Sequence, residues 1–243
     1  MNSPSHRGFA TLSLLALAIM AALVSLGIWQ VNRLAWKEGL ISDIELRVKA
    51  PPLEFAVWLT AKQGEDYWPV IISGTYRHEG ERHFFATHKG QSGYYVYTPL
   101  QTASGAFVIV NRGFVPFDRK DAATRIEGQV AGLVTVDGLA RTAPEAKPSS
   151  VVPDNDPAKN LFYWKDLKAM SSSAGLPADA KVLPGFIDAA ASATPPSGLP
   201  EGGVTLVELP NNHLQYALTW YGLAATLAAV WGVMAFRHFR RKP

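Results

Sequence analysis

The 243-residue sequence is long enough for one folded domain and two membrane spans. Hydrophobic residues make up 48% and charged residues only 18% of the chain, against a usual charged share of about 25%. The net charge is +3, and no basic stripe is interleaved with aromatic residues, so we expect no nucleic-acid partner. The absence of cysteine excludes disulfides, zinc–thiolate sites, iron–sulfur clusters and covalently attached haem.

Two uncharged apolar runs, one near each end, predict transmembrane helices. Phe9 to Trp29 and Leu214 to Phe236 can each cross a ~30 Å hydrocarbon core at about 1.5 Å per residue. A cleaved signal peptide is the alternative for the first run. That run is longer than the usual apolar core of roughly 7–15 residues, and it ends in Trp29-Gln30 without a small-x-small cleavage site. We therefore expect the first run to be retained as an anchor.

The positive charges that flank the spans predict the topology. Basic residues follow the second run and should stay in the cytoplasm, which also places the N-terminus there; they are Arg237, His238, Arg240, Arg241 and Lys242. Arg33 and Lys37 argue the other way, but they open a long loop, where charge counts for less. The lead ahead of the first run is too short for an arginine-rich transit peptide, so we expect a bacterial inner membrane.

The predicted organisation has five segments. They are a cytoplasmic N-terminal tail (1–8), a first transmembrane helix (9–31), a periplasmic β-rich domain with a leading amphipathic helix (32–212), a second transmembrane helix (213–236) and a basic cytoplasmic tail (237–243). The leading helix is predicted because apolar residues recur every four positions as far as Pro51-Pro52; these residues are Trp36, Leu40, Ile44 and Val48.

The middle of the chain predicts strands joined by short turns. The candidate strands are Trp68–Tyr76, Arg82–His88, Tyr94–Thr102, Ala106–Asn111, two within Gly128–Ala143 broken near Asp137-Gly138, Val182–Asp188 and Gly203–Glu208. Short helices are expected at Glu54–Ala61 and Trp164–Ala174. Consecutive hairpins favour an antiparallel sheet closed into a sandwich or small barrel. The predicted fold class is therefore an α+β membrane protein, with two transmembrane helices flanking a β-rich antiparallel domain.

The outer mouth of the two spans carries the most suggestive side chains. They are His213, Tyr216 and Trp220 on one face of the second span, with Trp29, Gln30 and Arg33 at the same height on the first. An imidazole for iron, aromatic rings for the macrocycle, and Arg33 or Lys37 for the propionates would suit a haem. The alternative is an interfacial aromatic belt with a snorkelling arginine. Small residues should let the spans pack closely; they are Gly222, Ala225, Ala229 and Gly232.

Other polar groups in the middle domain give weaker signals. His78, His83 and His88 form a cluster, but His83 and His88 should lie on opposite faces of a strand, which suits a single metal poorly. The segment Asn111-Arg112-Gly113 is typical of a turn with an outward arginine. Paired carboxylates, a Gly-x-Ser-x-Gly elbow and a phosphate-binding glycine loop are absent from the sequence, so we do not expect an enzyme.

Three segments, in this order, resemble the surfeit-locus-one (Surf, or Shy) family of cytochrome c oxidase assembly factors. They are Leu26 to Lys37, Val108 to Pro116 and Asn211 to Gly222, and the resemblance spans almost the whole chain. The family's Gly-x-Trp-Gln-x-x-Arg motif maps onto Gly27, Trp29, Gln30 and Arg33, and its Asn-Asn-His-x-x-Tyr-Ala motif contains His213. Phe114 stands where the family often has tryptophan.

The resemblance implies a role in the maturation of haem-copper terminal oxidases. It implies binding of haem a and its delivery to the large haem-bearing subunit of cytochrome c oxidase, with haem a synthase and the lipid bilayer as further partners. His213 would be the iron ligand, and the implied cofactor-binding residues are His213, Trp220, Tyr216, Trp29, Arg33 and Gln30. Two alternatives stay open, a cofactor-free membrane scaffold for an oxidase-subunit intermediate and a sensor with a periplasmic ligand domain.

Overall fold

The computed structural model describes residues 6–62, 65–205 and 209–240, and the chain falls into two units. One unit comprises Met1–Asp43 with Glu208–Pro243, and the other comprises Ile44–Val207. The helices are α1 (His6–Val48), α2 (Phe55–Ala61), α3 (Leu167–Ser173) and α4 (His213–Arg240). The strands are β1 (Leu53–Glu54), β2 (Pro69–Tyr76), β3 (Arg82–His88), β4 (Gln91–Thr102), β5 (Phe107–Pro116), β6 (Leu133–Arg141) and β7 (Val182–Ala189).

The helical unit is an antiparallel pair made by α1 and α4. Both helices are long and apolar enough to cross a membrane, which fits a two-pass membrane protein. Contacts run from one end of the pair to the other, and they join Phe9 to His238, Ser13 to Trp231, Gly27 to Tyr221, Gln30 to His213 and Lys37 to Pro210. The residue numbers on the α4 side fall as those on α1 rise, so the two helices pair antiparallel in one register along the whole contact.

The two helices meet along a seam with a repeat of three and four residues. Between residues 11 and 39 of α1 the less exposed residues are Ser13, Ala16, Met20, Leu23, Gly27, Gln30, Leu34 and Lys37, and on α4 they include Ala217, Trp220, Tyr221, Ala224, Trp231 and Ala235. This spacing is that of a left-handed antiparallel coiled coil. Within this seam, a Cβ on Gly27 would lie 2.5 Å from the ring of Tyr221. The sequence therefore allows close packing because α1 carries glycine there.

The small residues predicted to form this contact lie elsewhere. Ala225 and Ala229 are exposed, and a Cβ on Gly222 or Gly232 would meet nothing within 4 Å. The prediction is wrong because the contacting face of α4 is the one that carries Ala217, Ala224 and Ala235. Composition alone does not fix which stripe of a helix meets its partner.

The second unit is built on a closed five-stranded barrel. Its strands follow the order β2, β6, β7, β5, β4, and the barrel closes where Gly74 to Tyr76 pair with Leu100 to Thr102. β3 extends the sheet beyond β4, and β1 pairs with β2. The pairings are antiparallel except β1 with β2 and β5 with β7. This confirms the predicted fold class and selects the barrel over the sandwich.

Most predicted elements are confirmed, and the exceptions have physical reasons. α1 continues from the first span to Val48 as expected. The range Gly128–Ala143 contains one strand, β6 (Leu133–Arg141), instead of two, because Gly138 lies within the sheet, where a Cβ would be 2.4 Å from the carbonyl oxygen of Asp188. In the predicted strand Gly203–Glu208, residues 203–205 are irregular, and 206–208 lie outside the described residues, as do parts of both predicted tails.

The segment Asn111-Arg112-Gly113 lies inside β5 and not in a turn. Arg112 is only 4% exposed, so the prediction of an outward arginine is wrong. Its guanidinium donates to the carbonyl oxygen of Gly128 at 2.6 Å, and the Asn111 amide donates to the Asp188 carboxylate at 2.9 Å. Gly113 has φ +127°, and a Cβ there would lie 1.9 Å from the carbonyl oxygen of Glu201. The three residues therefore join β5 to its surroundings from within the core.

Replacement of Gly113 should destabilise the barrel strongly. In Gly113→Ala, the positive φ and the collision with Glu201 should together lower the free energy of unfolding by at least ~2 kcal/mol. Denaturant unfolding of the full chain in detergent, followed by tryptophan fluorescence, measures this. Gly105→Ala is the matched control, because Gly105 also has a positive φ but its Cβ would meet nothing within 4 Å. Equal losses of unfolding free energy in both variants would contradict the close contact between Gly113 and Glu201.

Replacement of Gly27 should separate the two helices. We expect Gly27→Leu to slow, several-fold, cross-linking by a short bis-maleimide of cysteines introduced as Ser13→Cys and Trp231→Cys, because the Trp231 indole reaches the Ser13 hydroxyl across the pair. The chain has no native cysteine to interfere. Gly222→Leu, at an open position, should leave the rate unchanged. A rate unaffected by Gly27→Leu would contradict the described seam.

Candidate functional site

His213 is the first residue of α4 and contacts Gln30 of α1 within the helical unit. The His213 Nδ1 lies 2.7 Å from the Gln30 Oε1. Gln30 is 8% exposed, and His213 is half-buried. The Gln30 Oε1 can only accept a hydrogen bond, so this contact requires a proton on Nδ1, and in the neutral ring with that proton Nε2 keeps its lone pair. No described residue forms a hydrogen bond to Nε2.

Residues near Gln30 on α1 and near His213 at the start of α4 hold this pair in position. Gln30 follows Gly27 by three residues on the α1 seam, so the close approach at Gly27 brings it against α4. At the start of α4, the Tyr216 backbone N–H donates to the carbonyl oxygen of Asn212 at 3.3 Å. The Lys37 ammonium donates to the carbonyl oxygen of Pro210, which ties the chain entering α4 to α1. Lys37 therefore has a structural contact in addition to its predicted role at a propionate.

The other predicted site residues do not all face the same way. Trp220 lies seven residues after His213 on the α4 seam and is half-buried, and its indole N–H is buried with no partner among the described residues. Trp29 and Tyr216 are 56% and 55% exposed and lie outside the seam. Arg33 is exposed, with its guanidinium 3.8 Å from the centre of the Trp36 ring. The structure thus brings His213 and Gln30 into contact, keeps Trp220 on the same face and leaves the rest at the surface.

The donor set fits an iron bound through one imidazole. Histidines that bind metals usually donate their other ring N–H to a carbonyl or carboxylate oxygen, as His213 does to Gln30. In the described part of the helical unit the other imidazole facing the seam, that of His238, stacks on Phe9 at the opposite end of the pair. His213 is therefore the residue that would hold an iron, and the exposed aromatic rings and Arg33 lie near the same end of the helix pair.

Sequence reasoning missed the contact between Gln30 and His213. It assigned both residues to a cofactor, and the two lie in motifs separated by the whole domain. The available signal was weak. Gln30 follows Gly27 by three residues, so the two share one face of α1, but the sequence does not show that this face meets the partner helix.

His78 and His83 of the second unit have different hydrogen-bond partners, whereas the His88 Nε2 lies 3.7 Å from the Glu201 carboxylate and forms no hydrogen bond with a described residue. The His78 Nε2 donates to the carbonyl oxygen of Val130 at 2.8 Å, and the His83 Nε2 donates to the Glu81 carboxylate at 3.0 Å. Burial lowers the pKa of His78, so this ring favours its neutral form. Among the described residues, no group of three or more metal-binding side chains is placed to hold an ion. These histidines therefore act as polar contacts in the fold.

Comparison with known proteins agrees with the motifs. The SURF1 family model matches residues 17–225. Surfeit locus protein 1 of Rattus norvegicus is 38% identical over 242 residues, covering 93% of this chain and 75% of the relative. The Homo sapiens protein of that name is 36% identical, covering 93% and 76%. A SURF1-like protein of Monosiga brevicollis is 34% identical, covering 88% and 84%. The resemblance found in the three motifs is confirmed, and the chain belongs to the SURF1 family.

Proposed function

We propose that this protein is an assembly factor for a haem-copper terminal oxidase, cytochrome c oxidase, and that it binds haem a through His213 and assists its insertion into the large subunit. Membership of the SURF1 family supports the role in oxidase assembly and is consistent with a protein that is not an enzyme. The haem part of the proposal is carried by one observation. His213 has its Nδ1 held by Gln30 at 2.7 Å, which leaves Nε2 available as a ligand.

Each residue of the site has a defined task in this proposal. The Nε2 of His213 binds iron. The indole of Trp220, on the same face of α4, packs against the macrocycle, and its N–H lacks a partner among the described residues. The exposed rings of Trp29 and Tyr216 offer apolar surface, and the exposed guanidinium of Arg33 can pair with a propionate. Bound haem a supplies the redox-active iron that the oxidase requires. A single protein ligand suits a carrier, since only one bond to the iron must break on transfer.

The proposed location is a bacterial inner membrane, with both termini in the cytoplasm and the β-barrel unit in the periplasm. The basic residues after the second span support this orientation, because arginine and lysine beside a span favour the cytoplasmic side. The periplasmic side is also where the mouth of the helical pair carries His213 and Gln30. The proposed partners are the large haem-bearing oxidase subunit, haem a synthase and the lipid bilayer.

Loss of the imidazole should abolish haem binding. Protein purified in detergent from cells that synthesise haem a should show a Soret band, and His213→Ala should lose at least tenfold of the bound haem. The matched control is His238→Ala, which removes a histidine from the opposite end of the same helix pair. A folded, colourless wild type that co-purifies with the large oxidase subunit would contradict the haem proposal and favour the cofactor-free scaffold.

The topology can be tested with single cysteines, because the chain has none of its own. Ser172→Cys, at an exposed position of α3, should react with a membrane-impermeant maleimide added to spheroplasts. A cysteine appended after Pro243 should react only after the membrane is permeabilised. The reverse pattern would place the barrel unit in the cytoplasm and would refute the proposed orientation.

A further inference from the structure

We infer that Gln30 is a positioning residue that acts on His213 and not on haem directly. Its amide oxygen fixes His213 as the Nδ1–H tautomer and sets the plane of the ring, so that the ligand nitrogen is always Nε2. The inference deepens the proposed function and rests on it for the part that concerns haem. The effect on the imidazole itself does not depend on any cofactor.

The geometry supports a fixed orientation. The contact joins two helices and is short, at 2.7 Å, and Gln30 is 8% exposed, so water competes weakly for the amide oxygen. Gln30 lies on the α1 seam one turn from Gly27, where a Cβ would collide with the Tyr221 ring. A histidine side chain free in water prefers the opposite tautomer, with the proton on Nε2. The bond from His213 to Gln30 therefore opposes the default preference of the ring.

The choice of an amide over a carboxylate also has a consequence for ligand strength. A carboxylate that accepts from Nδ1–H pulls the proton toward itself and makes Nε2 a stronger electron-pair donor to a metal. An amide has a smaller effect. Gln30 therefore orients the His213 ring but raises the metal-binding strength of Nε2 less than a carboxylate would. This suits a protein that must release its cargo, because the ring of His213 is held in place without a large increase in its affinity for iron.

The tautomer can be read without haem. Full-length protein with ¹⁵N-labelled histidine, purified in detergent from cells that make no haem, should show Nδ1 protonated and Nε2 unprotonated for His213 at pH 8. His213→Ala assigns the signal. In Gln30→Leu, the ring should shift to a mixture dominated by the Nε2–H form. Gln215→Leu is the control, because Gln215 is exposed on α4. An unprotonated Nδ1 in the wild type, or a spectrum unchanged by Gln30→Leu, would overturn the inference.

The second readout concerns release of haem. Gln30→Glu keeps the acceptor and should slow haem transfer to apomyoglobin at least threefold relative to wild type, whereas Gln30→Leu should accelerate it. Because Gln30→Glu retains the interhelical bond, it serves as the test if Gln30→Leu fails to fold. Equal transfer rates in wild type and Gln30→Glu would refute the effect on ligand strength. A colourless wild type with the Nδ1–H tautomer would remove haem binding from the proposed function but uphold the action of Gln30 on the ring.

Discussion

The close approach of α1 and α4 at Gly27 is the constraint on which the candidate site depends. A side chain at this position would collide with the Tyr221 ring, so the absence of a Cβ allows the helices to pack face to face. That spacing lets the amide of Gln30 reach His213 one turn further along the seam. This bond is favoured because Gln30 is only 8% exposed, so water competes weakly for its amide oxygen. The helix packing that Gly27 allows therefore places Gln30 where it can accept the hydrogen bond from the His213 Nδ1.

The barrel unit is stabilised in a different way, by polar groups buried within a closed sheet. Asn111, Arg112 and Asp188 lie in the core, each with a hydrogen-bond partner. Glu81 pairs with Arg125 and accepts from His83 in a second buried cluster. Removal of one partner from such a cluster leaves an uncompensated buried group, which costs about 3–5 kcal/mol for a charge. Buried networks therefore fix the barrel in a chain without disulfides.

The sequence predicted the elements that have a strong local signal and failed where long-range contacts decide. The helices α1 and α4 and strands such as β3 follow from apolar runs and alternation. Gly138 and Arg112 were misassigned because glycine and Asn-Arg-Gly usually mark turns, whereas here another strand or loop packs against them. His213 could be named as a candidate from its motif. Its contact with Gln30 could not, because it depends on the register of two helices separated by the whole domain.

The central claim is that His213 binds the iron of haem a through Nε2. Pulsed electron paramagnetic resonance of the ferric, haem-loaded full chain with ¹⁵N-labelled histidine measures this bond directly. We expect hyperfine coupling between the unpaired electron spin on iron and one histidine ¹⁵N nucleus, and this coupling should disappear in His213→Ala. Haem-loaded wild type without histidine coupling, or coupling that persists in His213→Ala, would contradict it.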